Sequence, residues 1–424
     1  MNKKKVCMIL KRNFEYLKKD SRVLRECDSL INAGYVVSVV IFGDESSKTY
    51  EKLNGIDVKI TRINDMKIAP NCNPFKIVDR SKWSLLRKII CFVLFRLIYD
   101  FKYFYNTLLR LLCEDADVYH AHDLETLLLG YVASQIKNSK LIYDSHELWM
   151  ESRYFNSIIN KIKKPYYSML EKYIIKKVDL VITVNESLAQ YLAKLYKIEK
   201  PVVLHNYPKY NEYKGKSNTL RDKLSINENI KIVLYQGGLI SGRALENLID
   251  CAKYLNDNII IVLMGYGDMK KSLQQKIDSL SLYDKIKILD AVSSDILIEY
   301  TASADLGVSP IQNICLSYYY STPNKVWEYI IAGIPFVASD FPEMRKLAVD
   351  ENMGEVFNPE DPKSIADAIN YLLENPEVYE IKKRNVLKLA REKYSWEKES
   401  LKLLKAYNNL KLPEGTKLKR YKRI

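Results

Sequence analysis

Residues 230–268, IKIVLYQGGLISGRALENLIDCAKYLNDNIIIVLMGYGD, hold two apolar runs separated by a glycine loop and an amphipathic segment. Ile230–Tyr235 and Ile259–Met264 have the length of buried strands, and Ala244–Leu255 has the length of a helix. Short apolar strands that alternate with helices are typical of a parallel sheet covered on both faces. The stretch therefore predicts an α/β domain.

The same alternation extends over most of the chain. Upstream, the predicted strands are 6–10, 36–41, 117–121, 141–144, 180–184 and 202–204. The polar segment 207–218, YPKYNEYKGKSN, interrupts the pattern and predicts a linker. The fold class is therefore α/β, with two Rossmann-like parallel-sheet domains predicted at 1–206 and 207–397. Ligands of such sheets bind at the carboxyl ends of the strands.

Composition and charge narrow the class of protein. Hydrophobic residues make up 47% of the 424 residues and charged residues 28%, which excludes a disordered or fibrous chain. The net charge is +14, and residues 1–206 hold 34 Lys and Arg against 23 Asp and Glu. An anionic partner is therefore expected for the first half. Nucleic acid is disfavoured because no nucleic-acid-binding module is recognised.

Two features bear on location. Seven cysteines without a C-x-x-C pair predict reduced thiols and a cytoplasmic protein. The apolar run Val6–Leu10 is too short for a signal peptide. Charges interrupt the apolar segment Ile89–Tyr105, so it is not a membrane span. Whether the helix over 88–112 is buried or lies in a membrane interface stays open.

Histidines lie at the ends of predicted strands in the first half. His120 and His122 end the strand of VYHAHD, and His146 follows the strand of LIYDSHE. This position favours a ligand site, although His120 is also compatible with core packing. With Asp123 and Asp144 the histidines are also compatible with a metal site, so a metal-dependent hydrolase is one alternative.

Glycine loops follow two strands of the second half. In QGGLISGR, residues 236–243, Gly237 and Gly238 let backbone N–H groups approach an anion, and Arg243 adds a cation. Gly265 in GYGD serves the same purpose or forms a tight turn.

The segment STPNKVWEY, residues 321–329, predicts the start of a helix with Thr322 as its N-cap and Pro323 as its first residue. Asn324 and Glu328 are four residues apart and share a helix face. The Glu328 carboxylate is suited to accept hydrogen bonds from vicinal hydroxyls, such as those of a ribose.

These motifs resemble glycosyltransferase family 4, the retaining, nucleotide-sugar-dependent glycosyl transferases group 1, which have the GT-B fold. The matching motifs are the GG loop with a basic residue, S-x-P-N-K-x-x-E-Y-x-x-A-G-x-P, D-V-Y-H-A-H-D, L-I-Y-D-S-H-E-L and Asp20-Ser21-Arg22. The GT-B fold implies two domains that face each other across a cleft. It also implies an acceptor-side first domain, a nucleotide-sugar-binding second domain, and a C-terminal helix of about 398–424 that packs back on the first.

The resemblance also implies roles for individual residues. The implied catalytic residues are His146, near the transferred sugar, Arg243 and Lys325, near the phosphates, and Glu328, at the ribose. The implied donor-binding residues are Gly237, Gly238, Gly265, Val292, Tyr320, Ser321, Pro323, Asn324 and Glu328. The acceptor-side candidates are Asp20, Ser21, Arg22, His120, His122, Asp123 and Glu147.

The chain departs from the family pattern at two positions. Tyr320 stands where the E-x7-E motif has its first glutamate, which puts the identity of the donor sugar in doubt. Gly238 stands near the place of a usual arginine, and Lys325 is expected to supply the missing charge.

The resemblance implies transfer from a UDP- or GDP-sugar to a saccharide or lipid-linked acceptor, with no cofactor and no metal. A role in bacterial capsule, O-antigen or exopolysaccharide synthesis is expected. The basic first half adds an anionic membrane surface as an expected partner, at the inner face of the cell membrane. The alternatives are a nucleotide-sugar epimerase, a catalytically impaired sugar-nucleotide-binding protein and the metal-dependent hydrolase. The sequence leaves the oligomeric state open.

Overall fold

Two compact units make up the chain. The computed structural model describes residues 3–43, 47–62, 102–156, 158–210 and 215–410. Unit 1 comprises Met1–His146, Pro165–Ile182 and Leu403–Ile424, and unit 2 comprises Glu147–Lys164 and Thr183–Lys402. Residues 147–164 and 183–206, which the sequence analysis placed in the first domain, group with unit 2.

The first sheet has eight strands in the order β3-β4-β2-β1-β5-β6-β7-β8. Its strands are β1 (Lys5–Ile9), β2 (Val36–Gly43), β3 (Tyr50–Leu53), β4 (Ile56–Arg62), β5 (Val118–His122), β6 (Lys140–Ser145), β7 (Leu180–Thr183) and β8 (Val202–Val203). The pairings from β4 to β6 are parallel, and β3 is antiparallel to β4. The β3–β4 hairpin was missed by the sequence analysis, because an exposed edge strand lacks a continuous apolar run.

Helices alternate with these strands as expected. They are α1 (Phe14–Leu17), α2 (Ser21–Asn32), α3 (102–113), α4 (Leu124–Lys137), α5 (Ile158–Ile174) and α6 (Glu186–Tyr196). The Asp20 carboxylate caps α2 by accepting from the Val23 N–H, at 3.3 Å. Strand β5 is buried along its whole length, so its histidines lie inside the fold rather than at its surface.

The second sheet has six strands, all parallel, in the order β11-β10-β9-β12-β13-β14. Its strands are β9 (Lys231–Gln236), β10 (Ile259–Met264), β11 (Ile286–Leu289), β12 (Leu306–Ser309), β13 (Phe336–Ser339) and β14 (Gly354–Phe357). Strand β10 is buried at every residue, which is what the run IIIVLM requires between two helical layers.

Helices also alternate with the strands of this half. They are α7 (Thr219–Leu224), α8 (Leu245–Asp250), α9 (Lys270–Ser279), α10 (Ser294–Ala302), α11 (Leu316–Tyr319), α12 (Asn324–Ile331), α13 (Pro342–Arg345), α14 (Pro362–Glu374), α15 (Pro376–Glu392) and α16 (Trp396–Asn409). Pro376 begins α15 directly after Asn375, a position that suits proline because the N–H that it lacks would have no partner within the helix.

The C-terminal helix returns to unit 1. From Leu403 on, α16 groups with that unit, and its Leu403 and Tyr407 side chains are fully buried. The predicted segment 88–112 lies outside the described residues up to 101. Among the helices that the structure describes, none is long and apolar enough to cross a membrane.

Candidate active site

Two glycine loops of unit 2 pack directly against each other. The loop after β9 and the loop after β10 are joined by the Leu239 N–H, which donates to the Tyr266 carbonyl at 2.8 Å. A side chain at Gly265 would place its Cβ only 1.8 Å from the Gly237 carbonyl oxygen. Gly237 has a φ of +123°, which L side chains rarely adopt. Glycine is therefore needed at both positions to bring the two backbones together.

Lys325, the second residue of α12, extends toward this loop. Its Nζ lies 3.5 Å from the centre of the Tyr235 ring, and a Cβ at Gly237 would lie 3.6 Å from the same Nζ. The residue is only 8% exposed, and within the described chain its ammonium has no hydrogen bond or ion pair. Burial and the nearby Arg243 lower the pKa of Lys325 well below its usual range, although Glu328 opposes the shift.

Glu328 lies one turn further along α12 and is partly exposed. Its carboxylate accepts from Gln236 Nε2 at the end of β9. The Gln236 oxygen in turn accepts from the Thr301 hydroxyl at 2.9 Å, so the amide orientation is fixed. Sequence reasoning missed Gln236, since a glutamine at a strand end carries no recognisable motif.

Arg243 and Val292 flank the loops. The Arg243 guanidinium lies 4.7 Å from the centre of the Tyr318 ring, which restricts its position. Val292, after β11, is half-buried against the core of unit 2. Arg153 donates to the Ser241 carbonyl at 2.7 Å, and this second arginine beside the glycine loop was also missed.

The segment before α12 differs from its prediction. Pro323 occupies the N-cap position in an extended conformation, and no side chain caps the helix, so the predicted Thr322 cap is wrong. The Thr322 hydroxyl instead accepts from Asn185 Nδ2 at 3.4 Å. The same amide donates to the Tyr320 carbonyl at 2.7 Å.

The other predicted residues near α12 make local contacts. Ser321 donates its hydroxyl to the Tyr318 carbonyl at 2.8 Å, and Asn324 accepts from Asn206 Nδ2 at 3.0 Å. Glu147 groups with unit 2, where its carboxylate accepts from the Ser317 hydroxyl at 3.5 Å.

In unit 1, the carboxylate of Asp144 on β6 is the centre of a buried polar cluster. Arg22 on α2 donates to both its oxygens, at 2.8 and 2.9 Å. His146 Nε2 lies 3.3 Å from Asp144 Oδ2 and 3.1 Å from His122 Nδ1. The register of the sheet explains the proximity, because His122 on β5 pairs directly with Asp144. The Arg22–Asp144 pair was not predicted, as its members are 122 residues apart.

The side chains of this cluster differ in which of them carry a charge. Burial disfavours the ionised form of Asp144, but Arg22 and His146 hold its pKa well below the usual range. Burial likewise opposes charge on His146, but the carboxylates of Asp123 and Asp144 raise its pKa to about 9. Burial, reinforced by His120, holds the pKa of His122 well below its usual range. At neutral pH His146 is therefore the cation among these histidines.

A pocket of unit 1 opens beside His146. Its lining residues are Leu10, Lys11, Arg12, Asp20, His122, Asp123, Glu125 and His146. Asp123 adopts a φ of +62° at the start of α4, and its carboxylate accepts from the His146 backbone N–H at 3.1 Å. Of the acceptor-side candidates, Asp20, His122 and Asp123 line this pocket, and Ser21 is exposed nearby on α2.

His120 is fully buried and does not line the pocket. Its Nδ1 lies 2.8 Å from the Tyr407 hydroxyl, and its ring stacks on His122 with centroids 4.3 Å apart. In this conformation His120 contacts protein groups and is out of reach of a solute.

The cluster also has some features of a metal site. Ligand atoms of Glu26, His120, His122 and Asp144 all lie within 4.8 Å of one another. Arg22 already occupies the space beside two of them, since its Nε lies 3.0 Å from Glu26 and its Nη2 2.8 Å from Asp144. A fixed guanidinium repels a divalent cation, so these residues fit a metal poorly.

Two family profiles match successive parts of the chain. The family profile described as Glycosyltransferase Family 4 matches residues 21–207, and the profile described as Glycosyl transferases group 1 matches residues 216–393. An uncharacterised glycosyltransferase of Methanocaldococcus jannaschii is 23% identical over 389 residues, covering 90% of this chain and 91% of that protein.

One further protein is similar to about half of the chain, and one solved structure is similar to nearly all of it. The O-antigen chain mannosyltransferase RfbU of Salmonella typhimurium is 25% identical over 51% of this chain and 57% of its own. The structure of Anabaena HepE in complex with UDP-glucose has a TM-score of 0.69 at 17% identity, covering 96% of this chain and 100% of that one. The two profile matches show that the chain belongs to glycosyltransferase family 4 and is a glycosyltransferase. The likeness of fold shows the GT-B fold of two parallel-sheet α/β domains.

Proposed function

We propose that the enzyme transfers a sugar from a nucleoside-diphosphate sugar to a saccharide or lipid-linked acceptor, with retention of the anomeric configuration. The observation that carries the proposal is Lys325. A buried ammonium beside a glycine loop, with Arg243 close enough to lower its pKa, forms a site that favours an anion with more than one charge. A diphosphate supplies that charge and raises the pKa of Lys325 toward its usual range.

The same groups account for the chemistry. As the bond between the sugar and the diphosphate breaks, negative charge grows on the leaving phosphate. Arg243 and Lys325 stabilise this charge most strongly because they are held in place before the reaction. These two cations take the role that a metal ion has in other transferases, so we propose that no metal is required.

Glu328 and His146 are assigned to hydroxyl groups. The Glu328 carboxylate, oriented by Gln236, is placed to accept from ribose hydroxyls. We assign the cationic His146 to sugar hydroxyls, as a hydrogen-bond donor. The complex of HepE with UDP-glucose supports a UDP-sugar as the first donor to test. A GDP-sugar is the second donor to test.

The acceptor is proposed from chemistry and from one relative. The basic excess of residues 1–206 favours an acceptor presented at an anionic membrane surface, and reduced thiols favour a cytoplasmic enzyme at its inner face. RfbU is named for the O-antigen chain, which supports a role in bacterial surface polysaccharide synthesis.

The proposal is tested by donor binding and product analysis. UDP-sugars and GDP-sugars are screened by thermal shift, since a ligand of the native state raises the melting temperature. Arg243→Ala and Glu328→Ala should each lower kcat/KM for the donor at least about tenfold, whereas exposed Arg345→Ala and Glu299→Ala should not. Wild-type turnover in both site variants would overturn the site assignment.

Products separate the proposal from its alternatives. NMR of the product with acceptor present should show the donor's anomeric configuration. An epimer formed from donor alone would indicate an epimerase, and binding without turnover would indicate an impaired binding protein. Activity that chelators abolish and bound metal in the purified protein would indicate the hydrolase.

A further inference from the structure

Helix α5 carries a row of large apolar side chains that face solvent. Ile162, Tyr166, Met169 and Tyr173 are between 54% and 77% exposed. Pro165 lies inside the helix and separates Ile162 from the other three residues. At 3.6 residues per turn, Tyr166, Met169 and Tyr173 fall within about 60° of arc and extend over about 10 Å. A continuous apolar stripe of this kind is unusual on a protein surface, where exposed hydrophobic residues are mostly scattered singly.

The opposite face of the same helix is firmly packed. Glu171 is 2% exposed and accepts from the Tyr143 hydroxyl on β6 at 2.8 Å. Ile174 and Ile175 are also buried. The helix is therefore fixed in rotation, and the apolar stripe faces outward because the inward positions are occupied.

Lysines border the stripe. Residues 158–177 contain Lys161, Lys163, Lys164, Lys172, Lys176 and Lys177, against the single acid Glu171, which points inward. On the helix, Lys172 falls on one side of the stripe, and Lys176 and Lys177 follow the end of the helix at Ile174. Long lysine stems reach outward beside an apolar surface and hold their charges at its edge.

We propose that the outward face of α5, formed by Tyr166, Met169 and Tyr173 with the lysines that follow them, docks this enzyme on an anionic lipid bilayer. The inference rests on the proposed membrane association and assigns it to a specific surface. Apolar side chains on this face enter the boundary between headgroups and acyl chains, and the lysines contact lipid phosphates. The two tyrosines suit this boundary, since each has an apolar ring and a polar tip.

Charge selects a membrane over a second copy of the chain. In a symmetric dimer the same patch meets itself, so the lysine-rich borders of both copies would face each other and repel. An anionic bilayer instead neutralises the lysine charges beside the stripe. The partner is therefore defined by its chemistry, an acidic lipid surface.

The test is flotation of the full-length protein with vesicles. Phosphatidylcholine vesicles are compared with vesicles in which a third of the lipid is phosphatidylglycerol, at low and high salt. Wild type should bind the anionic vesicles at low salt and be released at high salt. Met169→Glu should weaken this binding at least about tenfold, and Lys172→Gln should weaken it about fivefold.

Matched controls come from unit 2. Leu401 on α16 is 62% exposed, close to the 68% of Met169, and Leu401→Glu should leave vesicle binding unchanged. Lys271 on α9 is also exposed, and Lys271→Gln should behave like wild type. Unchanged melting temperatures in all four variants would show that binding, and not folding, is affected.

Three results would overturn the proposal. They are failure of the wild type to bind anionic vesicles, unchanged binding by Met169→Glu, and a dimer in solution that Met169→Glu dissociates without any vesicle binding. Thermal shift with UDP- and GDP-sugars is measured on the same proteins. Donor binding without vesicle binding rejects only the α5 surface, and vesicle binding without donor binding rejects only the proposed donor chemistry.

Discussion

At the scale of single residues, the state of His146 depends on its neighbours more than on its own chemistry. One ring nitrogen lies 3.3 Å from Asp144 and the other 3.7 Å from Asp123. Two carboxylates outweigh the burial that opposes charge, and Arg22 keeps Asp144 ionised. The result is an imidazolium held in one orientation beside a pocket, with about a fifth of its side chain exposed.

This state predicts a pH-dependent contribution to stability. The folded pKa of about 9 lies above the unfolded value of 6.5, so the contribution is complete below pH 6.5 and is lost as the pH rises through 9. Urea unfolding should find His146→Gln less stable than wild type by up to about 3 kcal/mol at the acidic end of this window. The difference should vanish at the alkaline end.

A control variant separates charge from packing. Asp123→Asn removes one of the two carboxylates near His146. It should therefore lower the pKa of His146 in the folded protein, which NMR titration would measure. If the stability difference between wild type and His146→Gln stayed constant across the window, the cationic state assigned to His146 would be wrong.

At the scale of elements, the backbone geometry beside Lys325 in unit 2 depends on two loops that are in direct contact. The Met269 N–H donates to the Leu239 carbonyl at 3.0 Å, and the Gly237 N–H donates to the Met264 carbonyl at 3.0 Å. The loops therefore form one backbone surface, on which Lys325 is placed by α12. Glycine is required here for close approach as well as for φ.

Gly265→Ala should push the two glycine loops apart. Its Cβ would lie 1.8 Å from the Gly237 carbonyl oxygen, and the two backbones must shift to admit it. We expect a loss of about 2 kcal/mol in the free energy of unfolding, with weaker donor binding. Gly238→Ala is the matched control, since its Cβ would meet only Ile240 side-chain atoms at 3.5 Å or more. Equal stability of both variants would contradict the predicted backbone clash.

At the scale of the whole molecule, the last described helix, α16, packs into unit 1. The Tyr407 ring is fully buried and lies edge-on to Tyr35, with ring centroids 5.7 Å apart. Its hydroxyl lies 2.8 Å from His120, whose ring stacks on His122. A contact between residues 287 positions apart thus supports the buried side of the histidine cluster.

Tyr407→Ala should destabilise the protein by about 3–5 kcal/mol, the range for removing a buried aromatic ring. Tyr407→Phe should lose only about 1 kcal/mol, because it keeps the ring and removes one hydrogen bond. Denaturant unfolding measures both. Tyr371→Ala on α14 is the control, as that ring is 47% exposed. A Tyr407→Ala protein as stable as wild type would show that the end of α16 does not support unit 1.

Hydrophobic periodicity and local motifs were sufficient to predict most strands and the positions of the glycine loops. The run IIIVLM could only be a strand buried on both faces, and the glycines of 236–243 predicted a loop open to an anion. Local chemistry was less reliable at α12, where Thr322 has the residue type of an N-cap but Pro323 takes the position. Capping depends on backbone angles that residue type alone does not set.

By itself, the sequence determined the α/β class, the order of most strands and helices, and the strand ends where polar residues gather. These follow from patterns a few residues long, which the chain satisfies locally. Only the tertiary structure decided that Arg22 neutralises Asp144, that Lys325 is buried beside Gly237, and that the apolar row of α5 faces outward. Each of these depends on which distant residues share a space, and burial and charge pairing are properties of that shared space.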